Sequence, residues 1–291
     1  MRVLLTGANG FIAHHIANHL IHKCELWLQY RSNDSRIADL KCNQIKFDLN
    51  EGFPKLPKFD YIIHTAANTW VDGSLKDSLP YVMDNVFGTA NLLEWVKTEQ
   101  PQAKVCIFSS DEVLGPAKEG EFFKEDQILK PSNPYSATKG SQELLAYSFA
   151  NSFDLNIFIV RCMNVYGKGE SDQKFIGKVL NAIKEGKKVT LHGTSPSNCA
   201  SRHWVHAKDV ASAVWFLMEK AKSQEIYHIA GEEMDVYTMA KILGATEFEW
   251  VDFHKARPGH DRRYSLSNKK LLSMGWKPQI DLKQGLLEVI E

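Results

Sequence analysis

The stretch T-G-A-N-G-F-I-A, from Thr6 to Ala13, follows the apolar run Val3 to Leu5 and decides the fold. Small residues at Gly7, Gly10 and Ala13 allow a strand-to-helix turn to bring its backbone close to a pyrophosphate, which the helix N-terminus then stabilises. This spacing also fits a tight turn without a ligand. Its position directly after a strand pattern favours binding of a dinucleotide.

Outward from this turn, apolar runs typical of buried parallel strands alternate with helical patterns. The alternation predicts an α/β protein with the doubly wound parallel sheet of the Rossmann fold. The strand runs are Val3–Leu5, Leu26–Leu28, Ile45–Phe47, Tyr61–His64, Val105–Phe108, Ile157–Val160 and Ile226–Ile229, and the helical patterns are Phe11–Ile21, Val82–Val96, Tyr135–Phe149 and Asp209–Glu219.

Two segments rich in Gly, Ser, Pro or Asn interrupt the alternation, at Tyr166–Gln173 and Thr194–Ser201. We therefore expect a dinucleotide-binding domain made of residues 1–165 and 206–231. Residues 166–205 and 232–291 are expected to form a smaller, discontinuous substrate-binding part.

The bulk composition excludes several classes of partner. The chain has 291 residues, with 35 Lys and Arg against 35 Asp and Glu, so no overall positive field favours nucleic acid or an anionic membrane. The five cysteines are an odd number without paired spacing, and no basic and apolar leader precedes Arg2. These features predict a cytoplasmic enzyme that binds neither nucleic acid nor membrane.

The end of the second strand bears on the choice of cofactor. An acidic residue usually stands there when the cofactor lacks a 2'-phosphate, but this chain reads L-W-L-Q-Y-R-S-N. Arg31 and Ser32 suit a 2'-phosphate, so NADP is favoured over NAD, unless Arg31 is a solvated loop residue. Asp48, after the third strand, is placed either to accept from the adenine amine or to cap a turn.

Two further stretches carry groups that move protons. F-S-S-D-E-V-L-G (Phe108 to Gly115) offers a hydroxyl and two adjacent carboxylic acids. P-Y-S-A-T-K sets Tyr135 and Lys139 four residues apart, on one face if the segment is helical. A phenol becomes a base at neutral pH only beside positive charge, which Lys139 and an oxidised nicotinamide would supply.

These stretches resemble the extended short-chain dehydrogenase/reductase superfamily, and within it the nucleotide-sugar 4,6-dehydratases. The resemblance extends over nearly the whole chain. Besides the motifs already quoted, it rests on H-T-A-A-N-T-W-V-D (His64 to Asp72), R-C-M-N-V-Y-G (Arg161 to Gly167), R-H-W-V-H-A-K-D-V (Arg202 to Val210) and R-P-G-H-D-R-R-Y (Arg257 to Tyr264).

The resemblance implies roles for individual residues. Tyr135 would take the proton from the carbon-4 hydroxyl of an NDP-hexose, Glu112 the proton at carbon 5, and Asp111 would protonate the oxygen leaving carbon 6. Catalytic positions are then Ser110, Asp111, Glu112, Tyr135 and Lys139; cofactor positions are Gly7, Gly10, Phe11, Ile12, Ala13, Arg31, Ser32, Asp48, Leu49, Ala66, Ala67, Tyr135 and Lys139; substrate positions are Thr69, Asn164, Lys174, Arg202, Arg257 and His260.

Some positions depart from the pattern of the dehydratases. Ser110 stands where they more often have Thr, while Trp70 and Gly73 stand where the dTDP-glucose enzymes have His and Arg. The last two lie in the segment expected to face the sugar, so the hexose and the base remain open. A nucleotide-sugar 4-epimerase or 4-reductase would leave Asp111 and Glu112 idle, and a dinucleotide-sensing protein would not need Tyr135.

Two further expectations concern metals and assembly. His15, His19 and His22 have metal-ligand spacing, but Ile12, Ile16 and Leu20 form the buried stripe of that helix, so the histidines are expected on a solvated polar face and no metal site is expected. The helices predicted at Val82–Val96 and Tyr135–Phe149 resemble those through which the family forms dimers by a four-helix bundle, which implies a homodimer.

Overall fold

A computed structural model describes residues 1–32, 35–252 and 261–290. Its strands are β1 (Arg2–Thr6), β2 (Glu25–Tyr30), β3 (Asn43–Lys46), β4 (Tyr61–His64), β5 (Lys104–Ser110), β6 (Ile157–Cys162), β7 (Asn164–Tyr166), β8 (Val189–Ser195), β9 (Asn198–Cys199), β10 (Ser201–His206), β11 (Ile226–Ile229), β12 (Glu232–Asp235) and β13 (Phe248–Val251). Its helices are α1 (Phe11–Leu20), α2 (Val71–Lys76), α3 (Leu79–Tyr81), α4 (Gly88–Glu99), α5 (Pro134–Phe153), α6 (Phe175–Lys184), α7 (Ala207–Lys220), α8 (Val236–Ile242), α9 (Lys269–Ser273) and α10 (Leu282–Ile290).

Seven strands pair in parallel to form the central sheet, in the order β11-β6-β5-β4-β1-β2-β3. Six of the seven predicted runs lie wholly within these strands, and the run Ile45–Phe47 overlaps β3, which ends at Lys46. Val3, Leu4 and Leu5 in β1 have no exposed surface, because helices cover both faces of the sheet. The predicted doubly wound Rossmann fold is confirmed.

The two faces of the sheet have separate apolar cores. Helices α1 and α7 pack on one face, through residues such as Ile16 and Val214. Helices α4 and α5 pack on the other face, where Leu92 and Ala146 belong to the core. The active-site motifs sit where strands of this sheet end and the following turns or helices begin.

One predicted helix, Val82–Val96, has a different form. Residues Val82–Phe87 make a π-helical turn between α3 and α4. In that turn Asn85 is fully buried; its Oδ1 accepts from the Asn68 N–H at 2.7 Å and its Nδ2 donates to Thr138 Oγ1 at 2.8 Å. The wider turn thus accompanies a buried amide that joins three segments, a tertiary effect that local periodicity does not encode.

A second layer of structure follows β6. Strands β7, β10 and β12 form one small sheet, and β8, β9 and β13 form another. Together with α6, α8 and α10 they enclose their own core, which includes Tyr166, Val189, Trp204 and Leu286. Within the described residues, no helix combines the length and apolar character needed to cross a bilayer, and all five cysteines are free thiols.

Candidate active site

A cleft of about 550 Å³ lies at the carboxyl ends of the central strands. It brings together every predicted catalytic and cofactor position, although these positions come from segments far apart in the chain. The substrate positions Thr69, Asn164 and Lys174 also line it. Arg257 and His260 lie outside the described residues.

The glycine turn that opens the cleft is tightly constrained. Gly7 has a φ of +68°, and a Cβ on it would lie 2.6 Å from the Cα of Ala66. At the start of α1, Gly10 provides no side-chain cap, so backbone N–H groups of the first turn face the cleft without a side-chain acceptor. The neighbouring Asn9 Oδ1 is buried and has no hydrogen-bond partner among the described residues. A bare helix N-terminus fits the pyrophosphate of a dinucleotide, and the unpaired amide oxygen fits a hydroxyl or amino donor of the same ligand.

Tyr135 and Lys139 occupy the first turns of α5. Asn133 caps this helix through its side chain, Pro134 occupies the first helical position, and both signals explain why the helix begins there. Burial raises the pKa of the Tyr135 phenol, the nearby Glu112 raises it further, and a hydrogen bond with Ser110 opposes the rise. Without added positive charge, the phenol therefore stays protonated.

Lys139 is the positive group that accompanies this phenol. Its side chain is buried, and its Nζ donates to the main-chain oxygen of Phe108 at the end of β5. Burial lowers the pKa of Lys139 to about 7, while the carboxylate of Glu143, one turn along α5, opposes the decrease. The ammonium is thus poised to change charge near neutral pH.

Asp111 and Glu112 follow β5 in a short 3₁₀ turn and have unlike surroundings. Asp111 Oδ1 accepts from the Ser110 hydroxyl at 2.9 Å, whereas its buried Oδ2 has no partner among the described residues. Burial raises the pKa of Asp111 to about 7, with a further contribution from the charge of Glu112. A carboxyl in this setting holds its proton longer than an ordinary aspartate.

Glu112 has more hydrogen-bond donors and cations around its carboxylate than Asp111 has. Its Oε2 accepts from Asn133 Nδ2 at 3.0 Å and lies 3.4 Å from the hydroxyl of Tyr264. Burial raises the pKa of Glu112, but the hydrogen bond from Asn133 and the charges of Arg202 and Lys174 oppose the rise. Of the two adjacent acids, Glu112 has an amide donor and two nearby cations that favour its ionised form against the effect of burial.

The cofactor-selecting residues predicted at the end of β2 line the same cleft. Arg31 donates to both oxygens of Asp84, at 2.7 and 3.2 Å, and its Nη1 lies 3.6 Å from Asp48 Oδ2. Asp48 Oδ1 accepts from the Asn50 N–H at 2.9 Å, which is the turn-capping arrangement considered from the sequence. The guanidinium of Arg31 is therefore already engaged by carboxylates.

A second cleft of about 320 Å³ adjoins the first. Glu112, Asn164 and Lys174 line both clefts. Arg202 lines only the second, where it is buried and its guanidinium donates to the main-chain oxygens of residues 201, 261 and 262. The two clefts form one continuous site bounded by the end of β5 and the beginning of α6.

Three site residues were missed by the sequence predictions. Asp84 comes from the π-helical turn, and nothing local to it indicates an ion pair with Arg31. Asn133 precedes a proline in a pattern typical of a helix cap, but its contact with Glu112 depends on the fold. Glu170 lines the first cleft with a buried Oε2 that has no hydrogen-bond partner in the part of the chain that the structure describes, and burial raises its pKa to about 8.

The fold and this arrangement of phenol, ammonium and carboxyl groups define a dinucleotide-dependent enzyme class. Residues 3–230 match the model of the NAD dependent epimerase/dehydratase family. The chain therefore belongs to that family.

Individual relatives give a finer comparison. Over 316 residues the chain is 31% identical to human dTDP-D-glucose 4,6-dehydratase, covering all of this chain and 89% of the human protein. The structure of a dTDP-glucose 4,6-dehydratase from Streptomyces venezuelae with NAD bound superposes with a TM-score of 0.88, at 27% identity, over 100% of this chain and 96% of the other. A UDP-N-acetylglucosamine 4-epimerase from Methanobrevibacter ruminantium superposes with a TM-score of 0.86, at 25% identity, over 99% and 96%.

Proposed function

We propose that the chain is a nucleotide-sugar 4,6-dehydratase, which converts an NDP-hexose resembling dTDP- or UDP-glucose into the NDP-4-keto-6-deoxyhexose. The observation that carries the proposal is the pair of adjacent, unlike acids, Asp111 and Glu112, in the cleft with Tyr135 and Lys139. The similarity over the full chain to proteins named dTDP-D-glucose 4,6-dehydratase supports it.

Elimination of water needs two groups beyond those that oxidise a carbinol. A base must remove the proton beside the new ketone, and an acid must protonate the departing hydroxyl. Glu112, which receives an amide donor and lies near two cations, is suited to take the proton at carbon 5. Asp111, whose pKa is raised to about 7, is suited to protonate the oxygen leaving carbon 6.

Oxidation at carbon 4 falls to the phenol and its neighbours. Tyr135 accepts the hydroxyl proton, Ser110 hydrogen bonds beside it, and Lys139 supplies the positive charge that makes the phenol a usable base. When bound, the nicotinamide cofactor supplies reversible hydride transfer, first from carbon 4 and finally to carbon 6. Glu112 then returns its proton to carbon 5, and the proton that Tyr135 accepted restores the acid form of Asp111 through exchange with solvent. The residues of the chain thus end the cycle in the protonation states in which they began.

The identity of the cofactor depends on Arg31. The sequence favours NADP, because Arg31 and Ser32 suit a 2'-phosphate. The bidentate pair between Arg31 and Asp84 favours NAD, because a 2'-phosphate would have to displace that carboxylate and would then face Asp48 as well. We propose NAD, with Asp84 near the ribose hydroxyls in place of the acid that β2 lacks.

This choice has a direct test. Asp84→Asn frees Arg31 while leaving an isosteric side chain, and should narrow the preference for NAD over NADP by roughly tenfold, the value of one charged hydrogen bond. Titration of both cofactors into the wild type and the variant measures it. A wild type that prefers NADP would contradict the assignment.

The substrate is proposed to lie across the two clefts. Lys174 and Arg202 are the described cations suited to its diphosphate, with Arg257 and His260 implied by resemblance alone, while Asn164 and Thr69 face the sugar. On this view residues 1–165 and 206–231 bind the dinucleotide, and residues 166–205 and 232–291 bind the sugar nucleotide. The separate apolar core formed mainly by the second set supports the division.

We further propose that the protein is a homodimer. Around the π-helical turn and on α5, large apolar side chains are exposed to solvent, which is an unfavourable state for a monomer. Those side chains are Leu79, Val82, Met83, Phe87, Leu144 and Tyr147. Light scattering should give twice the chain mass of 33.0 kDa. The cytoplasmic location expected from the sequence stays a prediction, for which the free thiols are the support.

Incubation of the purified protein with dTDP-, UDP-, GDP- and CDP-hexoses, followed by mass spectrometry, tests the activity. A dehydratase lowers the mass of one substrate by one water. An epimerase, the alternative that the similarity to the Methanobrevibacter ruminantium 4-epimerase supports, leaves the mass unchanged while altering the stereochemistry at carbon 4. Retention of every substrate in unaltered form would refute both.

A further inference from the structure

Asn133 connects the two catalytic segments. Only 4% of its surface is exposed, and its Oδ1 accepts from the Ser136 N–H at 2.9 Å as the N-cap of α5. Its Nδ2 donates to Glu112 Oε2 at 3.0 Å. Because the amide oxygen is used by the helix, the group that faces Glu112 must be the NH₂.

The NH₂ of Asn133 constrains the protonation of its partner. An amide N–H can donate to a carboxylate oxygen but cannot accept a proton from a carboxylic acid, so the contact favours ionised Glu112. Among the described residues, no side-chain amide faces Asp111: its Oδ1 accepts from the Ser110 hydroxyl, and its Oδ2 has no hydrogen-bond partner. One amide therefore distinguishes two adjacent acids that would otherwise compete for one proton.

The same contact fixes the position of Glu112 relative to Tyr135. Asn133 lies two residues before Tyr135, and Pro134 between them restricts the backbone. Glu112 lies in the turn after β5, so the bond from Asn133 joins the helix that carries the phenol to the turn that carries both acids. A proton-removing carboxylate must be held close to its target to be effective.

We propose that Asn133 is a positioning residue for Glu112: it keeps this carboxylate ionised and holds it at a set position relative to Tyr135. The catalytic consequence rests on the proposed function, in which Glu112 takes the carbon-5 proton. The charged and titratable groups that face Glu112 are Asp111, Tyr135, Lys174, Arg202, Asp261 and Tyr264.

Two substitutions separate positioning from capping. Asn133→Ser keeps an oxygen that can cap α5 but is too short to reach Glu112, and Asn133→Asp keeps the shape and the cap but replaces the donor by an acceptor. The control is Asp235→Ser, an N-cap exchange on α8, where Asp235 accepts from Thr238. If Asn133→Ser fails to fold, Asn133→Asp keeps the inference testable, because it removes the donor and adds a repelling carboxylate beside Glu112.

The first readout measures two steps separately: reduction of the nicotinamide and elimination of water. Loss of one charge-assisted hydrogen bond should slow elimination roughly 10- to 100-fold in Asn133→Ser, measured as loss of water or as solvent deuterium entering at carbon 5. Reduction of the bound nicotinamide should stay within about threefold of the wild type, as should both rates in Asp235→Ser. Equal decreases in both half-reactions, or no decrease in elimination, would overturn the positioning role.

The second readout does not depend on activity. Carbon-13 NMR of labelled glutamate carboxyls, with Glu112→Gln to assign the signal, follows the ionisation of Glu112. Its midpoint should move upward by about one pH unit in Asn133→Ser, because the donor to the anion is lost, and further in Asn133→Asp, because a second carboxylate then faces it. An unmoved midpoint would overturn the inference about Asn133. A wild type that dehydrates no sugar nucleotide would refute only the proposed function.

Discussion

The buried ion pair behind the active-site lysine gives a prediction whose size follows from the structure. Arg161 donates from Nε and Nη2 to both oxygens of Glu143, at 2.8 to 3.2 Å, and both side chains are at most 4% exposed. Glu143 lies one turn after Lys139 and raises the pKa of that lysine against the effect of burial. Glu143→Gln keeps the shape of the side chain but leaves the Arg161 charge without its counterion.

The expected cost is large because the charge is buried. Removing one partner of a buried pair costs about 3 kcal/mol or more. With an unfolding entropy of about 2.1 cal/mol/K per residue, a chain of this length should lose about 5 °C in its melting temperature. Glu99→Gln is the control, since the pair between Lys58 and Glu99 is exposed and should be worth less than about 1 kcal/mol.

The pair also connects stability to function. Without Glu143, the pKa of Lys139 should fall below its value of about 7. As pH is raised, the rate of nicotinamide reduction should therefore begin to decline at a lower pH in the variant than in the wild type. Calorimetry and the pH profile of reduction check both effects. A Glu143→Gln variant with unchanged melting temperature and profile would refute the reasoning.

Three further predictions concern the clefts. Gly7→Ala should weaken cofactor binding far more than Gly120→Ala, measured by calorimetry, because both have positive φ but only Gly7 is crowded by neighbouring backbone; equal effects would contradict this. Elimination should decline as pH rises through about 7, since the acid role of Asp111 requires its proton, and a stopped-flow rate that stays flat to alkaline pH would exclude that role. Lys174→Met should weaken nucleoside diphosphate binding roughly tenfold and leave cofactor binding unchanged, whereas Lys184→Met, at the far end of the α6 helix that Lys174 precedes and outside both clefts, should affect neither.

The central sheet could be predicted from the sequence because its strands are buried on both faces. Runs such as Tyr61–His64 and Ile226–Ile229 appear in the structure with the bounds that the pattern gave. The glycine turn was equally accessible, because its spacing and its place after a strand are local. The π-helical turn was not, since the burial of Asn85 depends on partners at Asn68 and Thr138.

The site residues likewise divide into those that local motifs predict and those that only the fold brings together. Motifs brought Ser110, Asp111, Glu112, Tyr135 and Lys139 to one cleft, because each follows a strand or begins a helix at the same edge of the sheet. Charge partners could not be predicted. Arg31 and Asp84 are 53 residues apart in the sequence, so no local pattern indicates their ion pair. That ion pair is the reason why NAD is proposed as the cofactor and not NADP.

The central claim is that Asp111 and Glu112 remove water from a sugar that Tyr135 has helped to oxidise. The most direct measurement mixes the Asp111→Asn, Glu112→Gln double variant with the accepted sugar nucleotide, and records nicotinamide absorbance and product mass together. We expect a reduced nicotinamide and a product that has lost no water. Formation of the dehydrated product at the wild-type rate would contradict the central claim.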